Sequence, residues 1–191
     1  MRRLLLLLPI LAVAPASCAP VAIDEREVCG AGEVTVIAET EGYPLAIALD
    51  AARVYWTIPY TGVIMMASRS GGPPSVFASN LPDVGWLAVD DANVYVLAHP
   101  DPMAGAIYAL SKAGDTSPKL IANTSTNAFP VLDHQRIYWS GDGMWFVPTS
   151  GGTPTLLSQE SLGAFAVDGE RAYWIDYLPH ELFVNPRPGP S

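Results

Sequence analysis

The 191-residue chain has few charged residues, few cysteines and no apolar run long enough to cross a membrane. Only 15% of its residues are charged, and its two cysteines can form one disulfide at most. The longest apolar run, residues 4–14, is far shorter than the roughly 20 residues that a transmembrane helix needs. No sustained helical period follows it, and the sequence lacks a Gly-rich phosphate loop, a GxSxG elbow and an HExxH helix. The composition therefore favours an all-β protein without a common catalytic motif.

Positive charge is also scarce. Without Arg2 and Arg3, eight Lys and Arg residues stand against 19 Asp and Glu residues, which gives a net charge of −11. Such a surface repels phosphate backbones, so nucleic acid is excluded as a partner. The same charge disfavours docking to a membrane through a basic patch and suits a soluble domain that is tethered by lipid alone.

The first residues have the pattern of an export signal. The basic start at residues 1–3 and the apolar run behind it predict a signal peptide over residues 1–17. Ala16-Ser17-Cys18 then resembles the lipobox of bacterial lipoproteins. The resemblance implies lipidation of Cys18 and a protein anchored in the bacterial cell envelope. Residues 18–32 are predicted to be a linker.

Other cleavage sites fit the sequence less well. A cut after Ala14 or Ala19 would place a proline directly behind the scissile bond, where its fixed φ and missing N–H hinder a protease. The alternative to lipidation is plain secretion, into the periplasm or the medium, with a disulfide between Cys18 and Cys29.

One pattern is repeated four times along the rest of the chain. Each copy has apolar residues, then Asp, and Tyr five residues after the Asp. The four Asp residues are separated by 40, 43 and 35 residues, and they are Asp50, Asp90, Asp133 and Asp168. A period near 40 residues with four short strands in each copy is typical of β-propeller blades. The predicted fold is an all-β propeller of four four-stranded repeats, with blades at residues 42–80, 81–124, 125–160 and 161–185.

The two ends of the repeat region complement one another. Residues 33–38 read as the fourth strand of a blade that has no other strands, and the last repeat ends at a Pro-rich tail, residues 186–191, before its own fourth strand. Open strand edges leave backbone donors and acceptors unmatched. We therefore expect residues 34–37 to pair beside residues 181–184 and to complete the last blade.

The repeats resemble a known family. Tyr55-Trp56-Thr57, with Gly71-Gly72 behind it, resembles the YWTD-type β-propeller repeat. It is similar also to bacterial secreted propellers with Asp-x-x-x-Val-Tyr-Trp repeats and a Gly-Gly-x-Pro break. The resemblance covers roughly residues 33–185, and only Asp176 keeps the final Asp of the YWTD pattern. It implies a propeller fold.

Structural and functional candidates separate by position in the repeat. We expect the Tyr-Trp pairs to pack blade against blade and the repeated Asp residues to build turns. The variable loops between second and third strands should share one face with the links between blades, and such loops are where binding usually occurs. The predicted ligand-binding residues on these loops are Tyr60, His99, Asp101, Asp142, Tyr177 and His180. The links between blades add Asn80, Asp83, Asn123, Asn127 and Glu160.

The predicted fold and its variable loops lead to an expectation for the function. We expect a non-catalytic, extracytoplasmic binding module for a protein or an envelope component, with no cofactor and no metal. A metal site formed by His99, Asp101, Asp142 and His180 is the alternative use of these loops, although no ligand spacing demands it. Two other interpretations stay open. One is a fragment of a propeller lyase or lactone hydrolase, and the other is a truncated copy of a longer propeller.

Overall fold

The chain folds into four antiparallel β-sheets that follow one another along the sequence. The computed structural model describes residues 35–125, 128, 130–159, 162–169, 171–176 and 182–186. All four sheets belong to one compact unit that begins at Ile37. Within the described ranges, no helix is long and apolar enough to span a membrane. The predicted all-β propeller architecture is confirmed.

Each sheet is a meander in which consecutive strands are neighbours. The first sheet contains β1 (Ile47–Leu49), β2 (Arg53–Ile58), β3 (Val63–Ser68) and β4 (Ser75–Ala78). The second contains β5 (Val84–Val89), β6 (Asn93–Asp101), β7 (Ala104–Ser111) and β8 (Lys119–Ser125). The third contains β9 (Val131–Asp133), β10 (Arg136–Gly141), β11 (Gly143–Pro148) and β12 (Thr155–Ser158). The fourth contains β13 (Leu162–Val167), β14 (Arg171–Asp176) and β15 (Leu182–Pro186).

The fourth sheet differs from the prediction at its outer edge. Among the described residues β15 is paired with β14 alone, and residues 35–40 form no strand, so the expected pairing of 34–37 with 181–184 is not seen. Ile37 instead accepts a hydrogen bond on its carbonyl from the Gly72 N–H of the first sheet, at 3.3 Å. Pro186, predicted to open the tail, is the last residue of β15. It is tolerated there because a proline at the end of an edge strand removes no needed donor.

Side chains alternate between the two faces of each strand, and this alternation joins the sheets. The tyrosines of the first three repeats pack toward the following sheet, and all three expose 2% or less of their surface: Tyr55, Tyr95 and Tyr138. The next residue along each strand packs toward the preceding sheet, as Trp139 and Trp174 do. Three buried apolar clusters therefore lie between sheets one and two, two and three, and three and four. The prediction that the Tyr-Trp pairs pack blade against blade is confirmed for these junctions.

Candidate functional site

The meander divides the loops into two sets at opposite ends of the strands. We call the hairpins that join first to second and third to fourth strands the turn side. We call the hairpins that join second to third strands, together with the links between sheets, the loop side. The repeated Asp residues lie on the turn side, and those predicted binding residues that the structure describes lie on the loop side.

On the turn side, the repeated Asp closes its hairpin with a constant set of hydrogen bonds. Asp50 Oδ1 accepts from the N–H groups of Ala52 and Arg53 at 2.8 Å, and Oδ2 accepts from the Tyr55 hydroxyl at 3.2 Å. Asp90 does the same for Ala92, Asn93 and, at 2.8 Å, the Tyr95 hydroxyl. The repeated Asp therefore closes its turn, as the sequence predicted. The fixed spacing from Asp to Tyr adds a hydroxyl donor to the same carboxylate, which the sequence did not indicate.

The fourth repeat keeps this arrangement. In the third repeat, the repeated Asp contacts the histidine that follows it. Asp168 accepts from the Arg171 N–H at 2.7 Å and from the Tyr173 hydroxyl at 3.0 Å. Asp133 Oδ1 lies against Nδ1 of its neighbour His134, whose side chain is largely exposed.

A lysine ties the turns of the first two sheets together. Lys112 follows β7, and its Nζ lies 2.7 Å from Asp50 Oδ2 of the preceding sheet. The same Nζ donates to the Asp90 carbonyl of its own sheet and lies 5.4 Å from the centre of the Tyr55 ring. Burial raises the pKa of Asp50, but the Lys112 hydrogen bond and the amides of Ala52 and Arg53 outweigh it and hold the pKa well below its ordinary range.

Tyr95, on the turn side, also has a shifted pKa. Burial, together with the hydrogen bond and the negative charge of Asp90, raises the pKa of Tyr95 to about 12. Its hydroxyl is therefore a permanent donor to Asp90 at neutral pH, and it interacts also with the Thr149 side chain of the following sheet. A permanent donor that is tied to a carboxylate suits a structural role.

On the loop side, Asp83 brings together two of the predicted residues. Its carboxylate accepts from the backbone N–H of Tyr60 at 3.1 Å, and its carbonyl accepts from the His99 N–H at 3.0 Å. His99 Nδ1 lies 3.3 Å from the same carbonyl. Tyr60 has a positive φ of 62°, and its side chain is 94% exposed. Asp83 thus fixes the backbone while the phenol points into solvent.

Asp101 and Asp142 lie on separate hairpins of the loop side. Asp101 is exposed and accepts from the Met103 N–H at 2.7 Å, which closes its own turn. Asp142 lines a groove of about 410 Å³ between the second and third sheets. The groove is lined also by Asn123, Thr124, Ser125, Trp139, Trp145, Thr153 and Pro154. The structure therefore brings Asp142 together with Asn123, and Tyr60 together with Asp83 and His99.

One residue that lines the groove has a buried hydroxyl. Ser125 Oγ is buried and has no hydrogen-bond partner among the described residues. It faces the backbone of Gly141, where an added Cβ would lie 2.3 Å from Oγ. Any side chain at residue 141 would therefore clash with this hydroxyl. The carboxylate, the amide and the indole ring of the groove are groups that bind a small polar ligand or a cationic side chain.

Several predicted residues fall outside the described part of the chain. These are Tyr177, His180, Asn127, Glu160 and the lipidation candidate Cys18. The metal alternative needed His180, and among the described residues no group of three or more His, Cys, Asp or Glu side chains could hold a metal ion.

The sequence did not indicate Trp145 and Ser125 as lining residues. Trp145 stands opposite Trp139 in the register of β10 and β11, so the spacing of the strands could have identified it. The position of Ser125 against Gly141 depends on the approach of two sheets, and no local pattern indicates it.

An equivalent cavity of about 370 Å³ lies on the first sheet. It is lined mostly by apolar residues, which include Ile37, Ala38, Leu45, Ile47 and Trp56. Its polar contact is a hydrogen bond from the Trp56 indole to Thr40 Oγ1 at 2.9 Å. Because its polar groups already bond to each other, this cavity is a poorer candidate for a polar ligand.

Comparison with known proteins identifies the fold. No protein-family profile matches the sequence, and no curated protein matches it. A chain in the crystal structure of a nidogen/laminin complex has a TM-score of 0.60 at 19% identity, and the match covers 81% of this chain and 64% of that chain. The computationally designed Ika4 protein has a TM-score of 0.62 at 11% identity, over 80% of this chain and 98% of that one.

A functionally unknown protein from Desulfotomaculum acetoxidans is also similar, with a TM-score of 0.56 at 11% identity over 78% of this chain and 54% of that chain. These identities support a statement about the fold alone. The chain is an all-β repeat protein of β-propeller type, with four consecutive sheets that correspond to four blades.

Proposed function

We propose that this protein is a non-catalytic binding module outside the cytoplasm, which presents its loop side to a polar or cationic group of a protein or an envelope component. The observation that carries the proposal is the groove of Asp142, Asn123, Ser125 and Trp145. Its exposed carboxylate, that of Asp142, stands on a rigid scaffold, in contrast to the turn-side carboxylates, which are bound to their own hairpins.

The charge of the molecule supports a cationic or hydrogen-bond-donating partner. The whole chain has a net charge of −9, and three of its exposed carboxylates, those of Asp83, Asp101 and Asp142, lie on the loop side. Clefts that carry one sign of charge attract the opposite sign and raise association rates. The same charge disfavours nucleic acid.

Tyr60 gives the loop side a second contact point. A nearly fully exposed tyrosine on a fixed backbone offers apolar surface and a hydroxyl at low entropic cost, which is the common property of binding residues at protein interfaces. Tyr60 and the groove flank the second sheet, so a partner that spans this sheet can contact both.

The proposed location rests on the lipobox-like Ala16-Ser17-Cys18. A lipid anchor on Cys18 would hold the domain at the membrane surface. Intact-mass analysis of the mature protein tests this part by itself. The expected mass is that of a chain that begins at Cys18 with attached acyl groups, and an unmodified chain that begins elsewhere would contradict it.

Site-specific photo-crosslinking in living cells tests the binding side. The photoreactive amino acid p-benzoylphenylalanine replaces Met103, which is 84% exposed on the loop side, or Gln135, which is exposed on the turn side. We expect a discrete crosslinked adduct from position 103 and none from position 135. An adduct from position 135 alone, or from neither position in folded protein, would refute the proposed side.

A matched pair of variants then tests the groove. In the protein with the crosslinker at position 103, Asp142→Asn and Trp145→Ala should each reduce the adduct severalfold, because both side chains line the groove. Asp115→Asn is the control, because Asp115 is an exposed turn-side carboxylate that accepts the Ser117 N–H of its own turn.

A further inference from the structure

The first and the fourth sheet each expose apolar side chains on the outward face, although Ile37 and Ala38 cover part of that face on the first sheet. In the first sheet, the face that looks away from sheet two exposes Leu45 (68%), Ile47 (70%), Leu49 (57%) and Val76 (55%). In the fourth sheet, the face that looks away from sheet three exposes Ile175 (49%), Leu182 (72%) and Val184 (54%). We call these the head face and the tail face.

Strand register shows that each face is continuous. Ile47 is opposite Trp56 and Leu49 is opposite Val54, so the head face continues the surface that holds the second residue of each Tyr-Trp pair. Ile175 is opposite Ala164 and Leu182, and Tyr173 is opposite Val184, so the tail face continues the surface of the repeated tyrosine.

These two surfaces are the two halves of the junction that already occurs three times inside the molecule. At every internal junction, the tyrosine surface of one sheet packs on the Trp surface of the next. None of the buried clusters among the described residues joins sheet four to sheet one. The head face and the tail face are therefore complementary to each other.

The N-terminal residues mark where a preceding sheet belongs. An added Cβ on Gly71 would lie 3.7 Å from the Ile37 carbonyl oxygen, and one on Gly151 would lie 3.7 Å from that of Ile121. Ile121 belongs to β8, the outer strand of sheet two, and packs with Ala122 on Trp139. Ile37 and Ala38 pack in the same way on Trp56. Ile37 and Ala38 therefore occupy the position that the outer strand of a preceding sheet would have against the head face.

The ionic contact of the first junction has a counterpart at these ends. Lys112 binds its own sheet's Asp90 carbonyl and the preceding sheet's Asp50 carboxylate. Arg69 stands at the equivalent position and donates to its own sheet's Asp50 carbonyl at 3.3 Å. In the fourth sheet, which carries the tail face, Asp168 occupies the same position in the repeat as Asp50 in the first sheet. Arg69 would therefore meet Asp168 across a new junction, in addition to the bonds that each already makes.

We propose that the occupant of each end face is a second copy of this chain, joined head to tail twice, so that two copies close a ring of eight sheets. Each copy covers its partner's tail face with its own head face. Residues 35–38 of one copy then lie beside β15 of the other, whose described neighbour is β14 alone. Closure within one chain would require all three packed junctions to change their angles together, and densely packed interiors resist such a change.

The dimer forms through the sheet faces alone, so it does not depend on what the loop side binds. Two identical head-to-tail junctions leave no apolar face exposed, whereas an open head-to-tail series always leaves one at each end. This favours a closed dimer over a filament.

The test is the molar mass of the mature full-length protein by size-exclusion chromatography with light scattering. We expect twice the mass of the chain at micromolar concentration. Ile47→Glu on the head face and Ile175→Glu on the tail face should each give a monomer. Both residues are exposed, so circular dichroism should show a folded monomer in each case. Met103→Glu, on the loop side and outside both faces, should remain a dimer.

Mixing the two face variants distinguishes the geometry. The intact tail of Ile47→Glu can still join the intact head of Ile175→Glu, so the mixture should recover a dimer through one junction. A monomeric wild-type protein, a filament, or a dimer that survives either single variant would overturn the proposal. Failure of the mixture to associate would overturn it as well.

Discussion

The turn side and the loop side of the molecule are held together by different kinds of hydrogen bond. On the turn side, side-chain carboxylates close the hairpins, as Asp50 and Asp90 do for their amides and tyrosines. On the loop side, the sheets are linked largely by backbone bonds, such as the Leu81 N–H to the Gly62 carbonyl at 3.1 Å and the His99 N–H to the Asp83 carbonyl at 3.0 Å. Two loop-side carboxylates add to these bonds, since Asp83 accepts from the Tyr60 N–H and Asp101 from the Met103 N–H, but neither is repeated from sheet to sheet.

This difference explains why the two sides carry different sequence patterns. A turn that is closed by a carboxylate needs the same residue in every copy, and the repeated Asp supplies it. The loop-side hairpins share no such residue, and Tyr60, Met103 and Asp142 occupy related hairpins with unrelated chemistry. Repetition indicates a structural role here, and variation indicates surface that is available for binding.

The largest expected effect tests whether the loop side depends on its backbone. Gly62 has a φ of +64°, and an added Cβ would lie 1.9 Å from the Leu81 carbonyl oxygen, so Gly62→Ala should lower the free energy of unfolding by about 3 kcal/mol or more. Gly72→Ala on the turn side is the control. Its φ is +128° and no atom lies within 4 Å, so only backbone strain of about 1–2 kcal/mol is expected. Urea unfolding of both variants measures the difference, and equal losses would contradict the account.

The second effect tests whether the turn side depends on its carboxylates. Asp90→Ala removes the acceptor of two backbone amides and of the Tyr95 hydroxyl, and it should cost about 2–3 kcal/mol. Asp142→Ala on the loop side should cost less than about 0.5 kcal/mol, because Asp142 is exposed. Thermal unfolding should show the two midpoints well separated, and the account fails if Asp142→Ala is the more damaging change.

The third effect tests the ionic contact between the first two sheets. Lys112→Met leaves the half-buried carboxylate of Asp50 without its cation and should cost about 1–2 kcal/mol at pH 7. The lowered pKa of Asp50 contributes stability above its ordinary value of 3.8, and this stability is lost as the pH falls below that value. The variant should therefore lose less stability than the wild type between about pH 4 and pH 2.

Lys119→Met is the matched control for this prediction. Lys119 is exposed, and its Nζ donates to the Ser150 carbonyl at 2.9 Å without a carboxylate. Its acid unfolding profile should follow that of the wild type. A Lys112→Met profile that also follows the wild type would show that Lys112 does not stabilise the ionised Asp50.

The smallest effect concerns Tyr95. Its pKa is raised from 10.0 to about 12, so the folded protein holds a proton that the unfolded chain releases, and stability should fall as the pH rises from 10 toward 12. Tyr95→Phe should cost about 1 kcal/mol at neutral pH and should weaken this alkaline loss. Tyr60→Phe on the loop side should keep the alkaline loss of the wild type. Denaturant unfolding at pH 8 and pH 10.5 distinguishes the two variants.

The sequence predicted those parts of the molecule that repeat. The spacing from Asp to Tyr indicated the hairpins, and the period near 40 residues indicated the sheets, because each depends on local turn chemistry and strand alternation. The outer edge of the fourth sheet was not predictable in this way. Ile37 lies against Gly72 of the first sheet, and the choice between that contact and β15 depends on how the whole stack curves.

The candidate site was predictable only in outline. The positions of Tyr60, His99 and Asp142 on one side follow from the meander, and the structure agrees. The partnership of Asp83 with Tyr60 and His99, and the groove around Ser125, arise where two sheets meet. Contacts between side chains far apart in sequence leave no periodic signal.

We expect the turn side to stabilise the fold and the loop side to bind the partner. This difference is tested most directly by comparing two double variants in unfolding and in crosslinking. The turn variant carries Asp50→Ala and Asp90→Ala, the loop variant carries Tyr60→Ala and Asp142→Ala, and both have the photoreactive residue at position 103. We expect the turn variant to lose about 3–5 kcal/mol of stability. We expect the loop variant to stay within about 1 kcal/mol of the wild type and to lose its crosslinked adduct. A loop variant that unfolds as easily as the turn variant, or that keeps its full adduct, would contradict the account.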